Sequence, residues 1–94
     1  MKPRARRMPT RARAAIDLLD RPSVGSFPVQ VLDINAGGAR IAAGVALSVG
    51  ERCALRILAL PARCTVMWAK PDMAGIVFDS PLPQRQVEAL RIGA

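Results

Sequence analysis

Residues 31–41 read VLDINAGGARI, and this stretch decides the fold. Alternating apolar and polar residues stand on both sides of the AGG segment, which is the pattern of two strands joined by a turn. The alternation slips by one residue where Val31 and Leu32 are both apolar. Either both faces of this strand are covered, or a β-bulge resets its phase.

Similar short segments extend outward in both directions and predict about six strands in all. They are separated by turn signals that read DRPSVGS, SVGE, LPA and PDM. After two prolines, Val87, Leu90 and Arg91 have the i, i+3, i+4 spacing of a short helix that ends at Gly93. Short strands at this spacing suggest a small antiparallel barrel or sandwich.

The positive charge is concentrated at the N-terminus. The chain has 94 residues, enough for one domain, and a net charge of +7. Residues 1–13 contain six basic side chains and no acidic one, whereas the remainder contains eight basic and seven acidic side chains. Pro9 biases Met8 toward extended or turn conformations. We therefore predict a flexible basic arm over residues 1–13 and a β-barrel domain over residues 14–94.

The side chains needed for catalysis are missing. The chain has no histidine, the usual general base, and its carboxylates are scattered. Two cysteines without histidine are too few for a metal site, and no phosphate-binding loop pattern is present. The sequence predicts a binding protein with no catalytic residues, no metal and no cofactor.

The cysteines and the hydropathy of the chain indicate the cellular compartment of the protein. A turn near residues 59–61 would set Cys53 opposite Met67 and Cys64 opposite Arg56, so we expect no disulfide. Two buried, reduced thiols fit a cytoplasmic protein. No apolar run approaches the roughly 18 residues that a membrane-spanning helix needs.

The arm contains an R-x-x-x-R motif formed by Arg7 and Arg11. In an extended chain this separation spans about 13 Å and directs both side chains to one side. Each guanidinium can fork onto a phosphate or onto the edge of guanine. The alternative is a solvated basic tail.

A second motif, D-x-N-x-x-G, lies in the deciding stretch. Asp33 can accept hydrogen bonds from the N1–H and N2–H₂ groups of guanine, and Asn35 offers a donor and an acceptor. Gly37 and Gly38 permit positive φ or the close approach of a ligand. The alternative is a plain hairpin turn in which Asp and Asn cap backbone groups.

In this order the two motifs resemble those of the PilZ domain family, which carries R-x-x-x-R in an N-terminal arm and [D/N]-x-S-x-x-G on a barrel strand. The segments PVQVLDINAGGARI, LSVGERCALRI, ARCTVMW and AGIVF are similar to successive strands of that family, over nearly the whole chain. The resemblance implies an all-β fold, a six-stranded antiparallel β-barrel with a short C-terminal α-helix. It also implies a bacterial cytoplasmic receptor for cyclic di-GMP. The implied ligand-binding residues are Arg6, Arg7, Arg11, Asp33, Asn35, Gly37 and Gly38.

One residue departs from the family pattern, because Asn35 stands where the family has Ser. Asn can still form hydrogen bonds, so we expect cyclic di-GMP binding to be weakened or altered rather than lost. The resemblance implies that the arm closes over the ligand and that this ordering signals to a downstream protein partner.

Two other functions compete with this one. A degenerate barrel of the same family would act as a protein-interaction module without nucleotide binding. A nucleic-acid-binding barrel is disfavoured by the nearly neutral body and by an aromatic content of 3%. We expect Trp68 in the core, with base stacking as its alternative, and expect Arg40, Arg63 and Lys70 to be solvated or to line a ligand face.

Overall fold

The fold is built from short strands and one terminal helix. A computed structural model describes residues 8–9, 13–57 and 60–93. The elements are β1 (Met8–Pro9), β2 (Arg13–Leu18), β3 (Ser26–Ile34), β4 (Gly38–Ala43), β5 (Arg52–Ile57), β6 (Leu60–Lys70), β7 (Met73–Phe78) and α1 (Gln84–Gly93).

Six of these strands close into a barrel. They follow the order β3-β2-β5-β6-β7-β4, and β4 pairs again with β3, with every pairing antiparallel. Closure leaves the barrel without a free sheet edge. The expected six-stranded antiparallel β-barrel with a short C-terminal helix is therefore confirmed, and the sandwich is excluded. The two residues of β1 pair with the last two of β3.

Inward-facing side chains of all six strands fill the barrel, and α1 contributes Val87. Within the described ranges, no helix is long and apolar enough to cross a membrane. The side chains that are essentially inaccessible to solvent include Ile16, Val31, Ile34, Ile41, Cys53, Leu55, Cys64, Val66 and Ile76.

A β-bulge in β3 resolves the phase slip seen in the sequence. Val31 pairs with Ile41 and Asp33 pairs with Arg40, so Leu32 is the extra residue between them. The bulge keeps both Val31 and Ile34 inside the barrel. The same step turns Asp33 to the outer face.

A second bulge, in β6, was not predicted. Val66 pairs with Ile76 but Trp68 pairs with Gly75, which leaves Met67 as the extra residue. The phase change removes Trp68 from the core and lays its indole across Gly75 on the outer face, where a Cβ would overlap the ring. The prediction that Trp68 is a core residue was wrong, because strict alternation from Val66 does not hold across the bulge.

The predicted register of the two cysteines was also wrong. Cys53 and Cys64 are direct cross-strand partners, with their Sγ atoms 3.4 Å apart. Strands β5 and β6 pair outward from Ile57 and Leu60, so Pro61 lies inside β6 and does not belong to a turn. Both thiols are buried, and no disulfide joins them.

One ion pair joins two loops at an end of the barrel. Arg21 Nε donates to Glu51 Oε2 at 2.6 Å, and Arg21 Nη2 donates to Glu51 Oε1 at 3.0 Å. The backbone N–H of Ser48 donates to the same carboxylate. The hydrogen bond from Arg21 is the main reason that the pKa of Glu51 lies below its ordinary value, and burial opposes it.

Candidate ligand-binding site

The D-x-N-x-x-G segment forms a turn that is capped by its own asparagine. Asn35 Oδ1 accepts hydrogen bonds from the N–H groups of Gly37, at 2.7 Å, and Gly38, at 2.9 Å. The backbone N–H of Asn35 donates to the Gly38 carbonyl. This is the backbone-capping role that Asn commonly has in turns, and it fixes the loop between β3 and β4.

The same turn is tied to the segment that leads into the helix. Phe78 N–H donates to the Gly37 carbonyl at 2.9 Å, and Leu82 N–H donates to the Ala36 carbonyl at 2.8 Å. The carbonyl groups of Ala36 and Gly37 therefore attach the turn to the end of β7 and to the segment just before α1.

Gly38 is a close-packing position. A Cβ at Gly38 would overlap the carbonyl oxygen of Ile76 on the neighbouring strand. The described glycines with positive φ are Gly25 and Gly50, so the first of the two roles considered for Gly37 and Gly38, positive φ, does not apply. A Cβ at Gly37 would meet Asn35 Oδ1 at 3.5 Å, an ordinary contact distance.

Asp33 lies on the outer face in an ion pair with its cross-strand neighbour. Arg40 Nη2 is 2.8 Å from Asp33 Oδ2. The Asp33 side chain is only 14% exposed, whereas that of Arg40 is 44% exposed. The carboxylate is thus largely enclosed while the guanidinium faces solvent.

A row of residues continues from this pair across the outside of the barrel. Arg40 pairs with Gly75, and Gly75 pairs with Trp68, so the row crosses four adjacent strands. Lys70 Nζ lies 5.8 Å from the centre of the indole ring, a cation–π distance. Sequence reasoning missed this position for Trp68, and the one available signal was the glycine that makes room for the ring.

The N-terminal arm meets the barrel at the same row. Met8 pairs with Ile34, and Pro9 pairs with Asp33. The predicted ligand residues Arg6, Arg7 and Arg11 lie outside the described residues.

Among the described residues, two depressions on the barrel surface are lined by neither Asp33 nor Asn35. One, of about 400 Å³, lies beside β3 and β4 between Arg13 and Asp72. The other, of about 460 Å³, lies between β6 and the segment before α1, and Arg63 lines it. Of the three additional basic residues considered from the sequence, Arg40 and Lys70 therefore belong to the outer row and Arg63 does not.

The family of the chain follows from comparison of its sequence with known protein families. The PilZ domain profile matches residues 2–92, and the chain belongs to the PilZ domain family. Domains of this family are binding domains and are in general receptors for cyclic di-GMP.

The fold has a solved counterpart. The chain is similar to the crystal structure of the PilZ domain of CeSA from a cellulose-synthesizing bacterium, at 19% identity and a TM-score of 0.64. The alignment covers 95% of this chain and 97% of that one. At this identity the likeness establishes the fold. A search of curated proteins gives no match.

Proposed function

We propose that this chain is a bacterial cytoplasmic receptor that binds cyclic di-GMP on the outer face of the barrel. Asp33 and the turn of Asn35, Gly37 and Gly38 hold the ligand on the barrel, and the arginines of the arm clamp it. The arm, residues 1–13, becomes ordered on binding, and this change is read by a downstream protein partner. The chain performs no catalysis.

The observation that carries this proposal is the pairing of Pro9 with Asp33. Pro9 is the midpoint of the R-x-x-x-R motif, so Arg7 and Arg11 are each two residues from it. Two residues of extended chain span about 7 Å. An extended chain on both sides of Pro9 would bring the two arginines within reach of a ligand that contacts Asp33, and this supports the clamp.

The charges of the outer row fit a ligand with two phosphates and two guanines. Asp33 accepts from the guanine N1–H and N2–H₂ groups, sharing its carboxylate with Arg40. The guanidinium of Arg40, 44% exposed, offers a further fork to a phosphate. Trp68 offers an aromatic face to a base at the far end of the row.

A second candidate is the protein-interaction barrel without nucleotide binding. The observation that favours it is that two polar groups of the motif have protein partners in the absence of ligand. Asn35 Oδ1 caps its own turn, and Asp33 is paired with Arg40. A nucleotide must therefore compete with, or add to, contacts that already exist.

Calorimetric titration of the full chain with cyclic di-GMP, GTP and a short RNA, at two salt concentrations, separates these functions. The receptor gives saturable binding of cyclic di-GMP that persists at the higher salt concentration. Binding of RNA that disappears with salt would indicate a nonspecific basic tail. No heat with any of the three would favour the protein-interaction barrel.

A pair of variants sharpens the test. Asp33→Asn should weaken cyclic di-GMP binding by about 10- to 150-fold, since a charged hydrogen-bond acceptor is lost. Asp17→Asn is the matched control, because Asp17 is also an outer-face carboxylate in an ion pair, with Arg56 at 3.0 Å. Equal losses in the two variants would contradict a site at Asp33.

A further inference from the structure

Cys53 and Cys64 form a dithiol pair in the core of the barrel. They are directly opposed on β5 and β6, and neither side chain is accessible to solvent. Their Sγ atoms are 3.4 Å apart, within contact distance. No residue of the candidate ligand-binding site contributes to this pair.

Direct opposition on neighbouring antiparallel strands is compatible with a disulfide. Directly opposed residues of antiparallel strands have Cα atoms about 4.5–5.5 Å apart. Disulfides bridge Cα separations of roughly 4.4–6.8 Å, with an S–S bond of about 2.05 Å. Side-chain rotation at Cys53 and Cys64 can therefore close the remaining gap without separating the strands.

The two thiols are not chemically equivalent. The hydrogen bond with Cys64 lowers the pKa of Cys53, against the effect of burial. The same bond raises the pKa of Cys64, and burial raises it further. The Cys64 thiol also lies 3.6 Å from the Cys53 carbonyl oxygen. Because the Cys64 thiol is placed to donate to this carbonyl oxygen, we assign Cys53 as the attacking thiolate and Cys64 as the thiol that resolves the product.

We propose that Cys53 and Cys64 are a redox modification site, at which a peroxide oxidises the two thiols to an intramolecular disulfide. The Cys53 thiolate attacks a peroxide oxygen and becomes a sulfenic acid, and the O–O bond breaks with release of the first water after proton uptake. The Cys64 sulfur then attacks Sγ of Cys53 and expels the hydroxyl group as the second water. In sum, two thiols and one hydrogen peroxide give one disulfide and two waters.

Access to the buried pair requires local opening of the barrel. The pair lies on two adjacent strands, so separation of β5 and β6 exposes both sulfurs together. We therefore expect oxidation to be slower than that of an exposed thiol and to speed up when denaturant favours opening. The modification is independent of any nucleotide.

The test uses the unmodified full chain with hydrogen peroxide, followed by alkylation in denaturant and intact mass measurement. The expected result is the joint loss of both alkylation sites in monomeric protein, with a mass lower by two hydrogens. A dithiol reductant should restore both sites. The single variants Cys53→Ala and Cys64→Ala should form no intramolecular disulfide under the same treatment.

Three results would overturn the proposal. In the first, both thiols of the folded protein stay reactive under peroxide treatment that forms the disulfide in the unfolded chain. In the second, oxygen adducts accumulate on one cysteine in place of the disulfide. In the third, the chains become linked to each other. The unmodified chain decides among these outcomes, so the result does not depend on whether a variant folds.

Discussion

Gly38 and Ile76 lie against each other across the β4–β7 pair so closely that a methyl group on Gly38 would overlap the carbonyl oxygen of Ile76. The glycine of the D-x-N-x-x-G motif is therefore required by the pairing of two strands. Loss of ligand binding in a Gly38 variant does not by itself identify a ligand contact.

Gly38→Ala should destabilise the fold by about 1–3 kcal/mol, because the added methyl group forces β4 away from β7. Urea unfolding monitored by Trp68 fluorescence measures the change. Gly37→Ala is the matched control, since a Cβ there meets Asn35 Oδ1 only at 3.5 Å. It should change stability by less than about 1 kcal/mol. Equal destabilisation by the two variants would contradict the packing role of Gly38.

Asn35→Ser should keep the turn and should hold or improve affinity for cyclic di-GMP. A Ser hydroxyl can accept from the same backbone N–H groups, although more weakly than the Asn oxygen. Unfolding and calorimetry on the same sample measure both effects.

Asn35→Ala is the control for that change. It leaves the N–H groups of Gly37 and Gly38 without their side-chain acceptor, and the structure should lose about 1–3 kcal/mol. An alanine variant as stable as the unmodified protein would show that the cap contributes nothing. If neither the unmodified protein nor Asn35→Ser binds, the barrel is a protein-interaction module.

Arg7→Ala and Arg11→Ala should each weaken binding of cyclic di-GMP by about 10- to 150-fold, as each removes a forked contact with a charged group. Arg11→Lys should recover little, because an ammonium keeps the charge and loses the fork. Calorimetry in one buffer compares these variants.

Arg4→Ala is the control for the arm. A more distant and screened charge should change the affinity by less than about threefold. If all charge-removing variants weaken binding equally and high salt abolishes the difference, the arm acts as a nonspecific basic tail.

Acid should remove the stability that the Arg21–Glu51 pair supplies. The pKa of Glu51 in the folded chain lies below its ordinary value of 4.5, so the unfolded chain takes up the proton first as pH falls. The contribution is fully present above that ordinary value and is lost as pH falls through the folded pKa. Glu51→Gln should lower stability at neutral pH and flatten its decline between about pH 5 and 3.

Urea unfolding across this pH range measures the decline. Glu88→Gln, a change at an exposed carboxylate on α1, retains the Arg21–Glu51 pair and should keep the steep decline. A Glu51 variant whose stability follows the unmodified protein at every pH would contradict the assignment.

The sequence predicted the strands and the barrel because each strand carries its own alternation and the turns carry Gly, Pro and Asp. It also indicated a possible bulge near Leu32, since two adjacent apolar residues break the alternation within one strand. It missed the bulge at Met67 because the alternation of Cys64, Val66 and Trp68 is regular. The residue that makes room for the displaced indole, Gly75, lies on another strand.

The cysteine register was missed for a similar reason. Pro61 has the character of a turn residue but lies within β6, opposite Arg56. Moving the turn between β5 and β6 away from the predicted residues 59–61 changes every cross-strand partner of this hairpin. The motif residues were recognisable from spacing alone, whereas the ion pair of Asp33 with Arg40 depends on the register of β3 with β4.

The extra residue Leu32 has a consequence for protein engineering. In a regular ladder without the bulge, Leu32 would pair with Arg40 and Asp33 would share the inner face with Val31. A graft of residues 31–38, VLDINAGG, onto a strand that forms no bulge would therefore keep the motif sequence but turn Asp33 inward. The transferable unit is the bulge together with the turn, and a recipient strand must be one residue longer than its partner to accept it.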